Sequence, residues 1–195
     1  MTTANKITIF RILLVPFFCV QLLYYESSGQ QIHRWLAIVT FALASISDAV
    51  DGYIARTYNQ RSELGAILDP LADKLLLVSA LVLLALDHTS HVGQIPFWLV
   101  ATVFSRDLLI LIGMGVIHYT CGKVTVRPRL IGKIATVFQM ATVLWALFRW
   151  KINWLEHLAM VAALCTGISG VLYVMDGIRQ LASSPKSSAT PPATP

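Results

Sequence analysis

The chain has 195 residues, of which 56% are hydrophobic and only 13% are charged. This composition excludes an ordinary water-soluble domain and predicts an all-α integral membrane protein. The net charge of +5 favours anionic lipids and phosphates as partners, and no nucleic-acid-binding motif accompanies it, so we expect no nucleic-acid partner.

Six hydrophobic segments of roughly membrane-spanning length follow one another along the chain. They are Ile7–Tyr25, Trp35–Ala55, Gly65–Leu86, Pro96–Ile117, Leu130–Trp150 and Leu155–Ile178. We therefore expect a single membrane domain, residues 1–182, built from six transmembrane helices in the lipid bilayer. The tail, residues 183–195, is rich in Ser, Pro, Ala and Thr, which is typical of a disordered segment.

Four aspartates interrupt this apolar sequence at the facing ends of the second and third segments. They are Asp48, Asp51, Asp69 and Asp73. One carboxylate at bilayer depth costs ~2.5–3.5 kcal/mol on insertion scales, so four of them cannot all face lipid. Spacings of three and four residues place each pair on one face of a helix, and a short polar link suits an antiparallel helix pair. We therefore expect a shared polar cavity that also holds cations.

The ligand chemistry of this cavity favours Mg²⁺ or Mn²⁺. Carboxylate oxygens suit these hard cations better than zinc, and no Cys or His accompanies the aspartates. Four carboxylates can hold two ions, an arrangement that clamps phosphoryl oxygens. Gly52 and Gly65 leave room for a nucleotide beside the backbone, and the planar fork of Arg56 suits a phosphate.

The complete pattern is D-x-x-D-G-x-x-A-R, then eight residues, then G-x-x-x-D-x-x-x-D, and it runs from Asp48 to Asp73. It resembles the signature of the CDP-alcohol phosphotransferase family, with every defining position filled. The resemblance implies that an alcohol attacks the lipid-side phosphorus of CDP-diacylglycerol and that CMP leaves. It also implies that the four aspartates bind the metals and that Asp73 acts as the base, a role that the residues alone do not assign. The positions implied for the CDP-lipid are Gly52, Ala55, Arg56, Ser62 and Gly65, with Asn5, Thr8 and Arg11 of an N-terminal segment.

Later landmarks resemble the phosphatidylglycerophosphate synthase and CMP-forming cardiolipin synthase branches of the family. They are Ser105-Arg106-Asp107, Gly132-Lys133 and Gln139. A phosphate on the acceptor would need a basic pocket, which Arg106, Arg129 and Lys133 can supply, and this favours glycerol 3-phosphate. Asp107 departs from the Glu that is usual in the synthase pattern. Phosphatidylglycerol therefore stays open as the acceptor, as do inositol phosphate and serine.

Most of the Lys and Arg residues lie at the end of the predicted bundle that carries the aspartates. The positive-inside rule therefore predicts that both termini and the polar cavity face the cytoplasm. An ion or proton transporter is the alternative from another functional class, and the clustering of the acids at one end argues against it. A homodimer also stays open.

Overall fold

The computed structural model describes the backbone of residues 3–57, 63–86, 93–121, 130–150 and 152–182. Side chains are described for residues 8–47, 71–86, 93–116, 119, 130–150 and 153–179. The described backbone forms helices joined by short connections. They are α1 (Thr3–Ser28), α2 (Gln31–Thr57), α3 (Glu63–Ala85), α4 (Phe97–Cys121), α5 (Leu130–Phe148) and α6 (Ile152–Ala182).

The all-helical fold confirms the prediction, because each hydrophobic segment corresponds to one of these helices. Four described stretches are long and apolar enough to cross a membrane, namely Thr8–Ser28, Phe97–Val116, Leu130–Phe148 and Asn153–Arg179. In α2 and α3 the described side chains cover residues 31–47 and 71–85, which are shorter than the about 20 residues of a full span. Six transmembrane spans therefore stay a prediction, and the predicted tail, residues 183–195, lies outside the described residues.

The helices pack as two groups of three. In one group α1 lies against both α2 and α3, and in the other α6 lies against both α4 and α5. Helix α3 joins the groups, because it contacts α4 and α5 as well as α1 and α2. Apolar side chains from both groups meet in one core, which includes the fully buried Phe18, Phe41, Leu99 and Val143. The rings of Phe18 and Phe41 pack with their centroids 5.6 Å apart.

The outer faces of the helices carry many large apolar side chains. Large hydrophobic side chains that are more than half exposed include Leu13, Leu108, Val137 and Val171. Soluble monomers rarely expose apolar surface on this scale, because it is unfavourable in water. This surface suits the hydrocarbon of a bilayer, which is as apolar as these side chains.

Short connections hold together the end of the bundle opposite the aspartates. Gly29 ends α1 with a φ of 66°, a left-handed conformation that glycine adopts without steric cost. The segment before α4 bonds to α3, since Ile95 N donates to Leu84 O over 3.0 Å. Gly93 lies so close to α5 that an added Cβ would come within 3.2 Å of the Cα and carbonyl oxygen of Ala146.

The close approach of Gly93 to α5 predicts that Gly93→Ala destabilises the fold. The new methyl group would press on backbone atoms that cannot rotate away, and overpacking of this kind typically costs about 1–3 kcal/mol. We expect the melting temperature of the detergent-solubilised protein to fall by several degrees. Gly115→Ala is the control, because nothing lies within 4 Å of its added Cβ. Equal melting temperatures for the two variants would contradict the packing described for this connection.

Candidate functional site

The motif aspartates lie on two neighbouring helices. Asp48 and Asp51 lie in the second half of α2, whereas Asp69 and Asp73 lie in the first half of α3. The two helices contact each other, and residues 58–62 join their facing ends. The predicted helical spacing of the two pairs is therefore confirmed. The convergence of their carboxylates stays a prediction, because three of the four side chains lie outside the described ones.

Most of the predicted CDP-lipid positions also fall outside the described side chains. These positions are Asn5, Gly52, Ala55, Arg56, Ser62 and Gly65. Asp73 is the described member of the aspartate motif, and its side chain is half-buried and interacts with another group. The ligand set of the predicted Mg²⁺ or Mn²⁺ site therefore stays a prediction.

Thr8 and Arg11 occupy the inner face of α1. Both side chains are fully buried, and each interacts with another group. Helix α1 packs against α2 and α3, which carry the aspartates. A buried guanidinium is costly unless it is paired and hydrogen-bonded, so this position suits a role in charge pairing. The structure thus places part of the predicted N-terminal segment inside the helix group that carries the aspartate motif.

An ion-pair network joins α3 and α4 in the middle of the apolar bundle. Arg106 Nη1 donates to Asp107 Oδ1 over 2.8 Å, and Lys74 Nζ lies 2.9 Å from Asp107 Oδ2. The Arg106 and Asp107 side chains are about four-fifths buried, at 19% and 18% exposure, whereas Lys74 is 44% exposed. The two adjacent opposite charges of this apolar segment are therefore paired with each other. One carboxylate serves two cations, which leaves the trio with a net positive charge.

Helices α5 and α6 complete the surroundings of Arg106. Its Nη2 donates to Ser169 Oγ over 3.3 Å, and its Cζ lies 5.7 Å from the centroid of the Tyr173 ring. Gly132 at the start of α5 also approaches, since a Cβ added there would lie 3.1 Å from Arg106 Nη2. The Arg106 Nε is buried without a hydrogen-bond partner in the described part of the chain. Three helices thus meet around one guanidinium.

Sequence reasoning missed Ser169 and Tyr173. Both look ordinary in an apolar helix, and only the packing of α6 on α4 brings them to Arg106. The available signal was their spacing, because residues four apart lie on one helix face, with Gly170 beside them. Lys74 was also missed as the partner of Asp107.

Of the other two predicted acceptor residues, the structure describes the side chain of Lys133 alone. Lys133 directly follows Gly132 and is exposed, and Arg129 lies outside the described residues. Gln139 is buried and donates to Thr166 Oγ1 over 2.7 Å, which ties α5 to α6. Among the predicted acceptor residues, the structure therefore describes a buried environment for Arg106 alone.

Comparison with known proteins decides the family. The CDP-alcohol phosphatidyltransferase profile matches residues 1–169. The chain belongs to the CDP-alcohol phosphatidyltransferase family. It is 35% identical over 197 residues to a protein of Mycobacterium tuberculosis named "Probable phosphatidylglycerophosphate synthase", with 92% of this chain and 86% of the relative covered. Membership confirms the resemblance of the aspartate pattern, and with the four apolar helices it indicates a multi-pass membrane enzyme.

Two enterobacterial relatives carry a more specific name, "CDP-diacylglycerol--glycerol-3-phosphate 3-phosphatidyltransferase". The protein from Salmonella typhimurium is 34% identical over 175 residues, and that from Escherichia coli K12 is 33% identical over 172 residues. Each alignment covers 86% of this chain and 90% of the relative. The similarity therefore extends over nearly all of both proteins.

Because Asp107 pairs with two cations, replacing it should destabilise the protein more than replacing it together with Lys74. Asp107→Asn leaves Lys74 and Arg106 without their common counter-ion, and we expect it to destabilise the protein by roughly 1–3 kcal/mol, less than a fully buried pair would lose. The double variant Lys74→Met with Asp107→Asn removes one of the stranded cations, so part of the loss should return. Thermal unfolding in detergent measures both. A loss in the double variant as large as that of Asp107→Asn, or larger, would show that the stranded Lys74 cation is not part of the cost.

Proposed function

We propose that the protein transfers the phosphatidyl group of CDP-diacylglycerol to glycerol 3-phosphate, which gives phosphatidylglycerophosphate and CMP. The observation that carries this proposal is the similarity, over nearly the whole chain, to enzymes named for that reaction. The family assignment favours an enzyme over the alternative of an ion or proton transporter. Phosphatidylglycerol, inositol phosphate and serine are the competing acceptors in the test below.

The reaction takes place at the cytoplasmic end of a six-helix membrane domain that comprises residues 1–182. In this arrangement both termini and the polar cavity face the cytoplasm, where CMP can leave and glycerol 3-phosphate can enter. The distribution of basic residues supports this orientation. The apolar outer faces of the bundle support its immersion in lipid, with a second copy of the chain as an additional neighbour in a homodimer.

The aspartates hold two divalent ions, Mg²⁺ or Mn²⁺. Asp48 and Asp51 on α2 and Asp69 and Asp73 on α3 offer only carboxylate oxygens, which fit these cations. Ions bound by these carboxylates would supply positive charge to the diphosphate and to the oxygen of the departing CMP. Gly52, Ala55 and Gly65 allow close approach of the nucleotide, and Ser62 lies beside it.

The basic residues of the first two helices bind the CDP-lipid. Arg56 and Arg11 hold its phosphates, and Asn5 and Thr8 of α1 line the same region. The complete burial of Arg11 and Thr8, on a helix that contacts α2 and α3, supports this part of the proposal. An apolar environment strengthens each such charge interaction, because it lowers the local dielectric constant.

Asp73 activates the acceptor. Its carboxylate takes the proton of the attacking hydroxyl, the oxygen bonds to the lipid-side phosphorus, and the bond from that phosphorus to the CMP oxygen breaks. The net result replaces the phosphoanhydride bond to CMP by a phosphodiester bond to the acceptor, and the proton remains on Asp73 until it passes to solvent.

Arg106 binds the phosphate of the acceptor, with Arg129 and Lys133 as further cations. The Lys74–Asp107 ion pair supports this placement, because Lys74 directly follows the proposed base Asp73 on α3. The network therefore fixes Arg106 relative to the helix that carries out proton transfer. Its net positive charge in apolar surroundings suits a doubly charged phosphate.

An assay of acceptor choice tests the proposed reaction. Purified protein receives CDP-diacylglycerol, Mg²⁺ and one acceptor at a time from glycerol 3-phosphate, phosphatidylglycerol, inositol phosphate and serine, and CMP release is measured. We expect release with glycerol 3-phosphate and complete loss in excess EDTA, because the anionic diphosphate cannot approach uncompensated carboxylates. Preference for another acceptor would contradict the acceptor assignment, and full activity in EDTA would contradict the metal assignment.

Replacement of one aspartate tests the metal ligands separately. Asp69→Asn keeps the shape of the side chain but removes a negative ligand, so we expect turnover to fall by at least about a hundredfold, in line with the loss of preorganised charge stabilisation. Glu156→Gln makes the same chemical change at an exposed position of α6 and should leave turnover intact. Near-wild-type activity of Asp69→Asn would remove this residue from the metal site.

A further inference from the structure

The Arg106 guanidinium is held from several sides by groups outside the family's aspartate motif. Asp107 Oδ1 accepts a hydrogen bond from Nη1, and Ser169 Oγ accepts one from Nη2. The Tyr173 ring makes a cation–π contact with the guanidinium carbon. The stem of Arg106 passes Gly170, where an added Cβ would lie 3.4 Å from Arg106 Cγ. These contacts fix both the position and the plane of the guanidinium.

We propose that α6 positions the acceptor-binding arginine through Ser169 and Tyr173, while Gly132 and Gly170 leave the space that its side chain needs. These four residues form the Arg106 seat. They are positioning residues, which set the affinity for a phosphorylated acceptor through Arg106 without contacting the acceptor. This inference rests on the proposed role of Arg106 in binding the acceptor phosphate.

The number of N–H donors on the guanidinium shows how the Arg106 seat could affect phosphate binding. Each terminal nitrogen carries two hydrogens, and the contacts to Asp107 and Ser169 use one on each. One hydrogen on Nη1 and one on Nη2 therefore remain, and two N–H groups of one guanidinium can bind a phosphate bidentately. An arginine held in advance loses less side-chain entropy on binding than a mobile one does.

Gly132 offers the sharpest test because its surroundings are specific. A Cβ there would lie 3.1 Å from Arg106 Nη2 and 3.3 Å from Ser169 Oγ, which is tighter than ordinary contact. The nearest atom is the flexible end of a side chain, so the guanidinium can move aside at little cost to the fold. Gly167 on α6 is a matched control, because nothing lies within 4 Å of its added Cβ.

The experiment compares Gly132→Ala with Gly167→Ala in purified protein. We expect Gly132→Ala to raise the KM for glycerol 3-phosphate about threefold to tenfold, the scale of one weakened charged hydrogen bond. The KM for CDP-diacylglycerol should stay within about twofold, because the seat does not touch that substrate. Gly167→Ala should leave both constants unchanged. Equal acceptor KM values for the two variants would contradict the proposal that the Arg106 seat positions this arginine.

A second pair of variants tests the contact between the Tyr173 ring and Arg106, and this test does not depend on whether Gly132→Ala folds. Tyr173→Phe keeps the ring under Arg106, whereas Tyr173→Leu removes it. We expect Tyr173→Leu to raise the acceptor KM about threefold to tenfold relative to Tyr173→Phe, as loss of a cation–π contact predicts. Equal KM values for the two variants would overturn the role of the ring.

Two reference measurements separate failure of the seat from failure of the proposed function. Wild-type protein that releases no CMP with glycerol 3-phosphate would overturn the proposed reaction. An unchanged acceptor KM in Arg106→Lys would overturn the assignment of Arg106, and the seat with it. If both behave as expected but the Gly132 and Tyr173 variants match their controls, the seat alone is wrong.

Discussion

The cost of a charge in a bilayer is the constraint on which the rest of this structure depends. A charged side chain that faces hydrocarbon must be paired, hydrogen-bonded or hydrated, and each alternative draws it to the inside of the bundle. The described helices obey this rule, because Arg11, Arg106 and Asp107 are buried or largely buried while the outer faces are apolar. Buried cations of this kind are suited to binding anionic substrates. In the proposed function, the same contacts that make these charges tolerable in the bundle also hold the substrates.

In the proposed reaction, each of the two helix groups binds a different substrate. Helices α1 to α3 carry the aspartates and the buried Arg11, which we propose bind the metals and the CDP-lipid. Helices α4 to α6 surround Arg106, the proposed contact of the acceptor phosphate. The Lys74–Asp107 ion pair, with 2.9 Å between its charged atoms, joins the two groups in addition to their shared apolar core. Because Lys74 follows Asp73 on the same helix, this ion pair would fix the distance between the proposed base and the proposed acceptor site, and transfer between two substrates depends on that distance.

The sequence allowed the six helices to be predicted because apolar runs of this length have few other structures open to them. The ends of the helices were harder to predict. The segment predicted as Ile7–Tyr25 is a helix over Thr3–Ser28. Helical hydrogen bonding continues beyond the apolar stretch, and α1 ends where Gly29 adopts a left-handed conformation. The Arg106–Asp107 pair was predictable, because two opposite charges within an apolar run need each other. Ser169 and Tyr173 were not, because a hydroxyl and a ring in an apolar helix become informative only when packing shows what they touch.

Anomalous X-ray scattering from Mn²⁺ in crystals of the protein would locate the metals that the proposed reaction requires. We expect two Mn²⁺ ions about 3.5–4 Å apart, bound by carboxylate oxygens of Asp48, Asp51, Asp69 and Asp73 on α2 and α3. The contradicting result is an absence of Mn²⁺ at that site, with the aspartates instead paired to Arg56 and Lys74 as a purely structural ion-pair network.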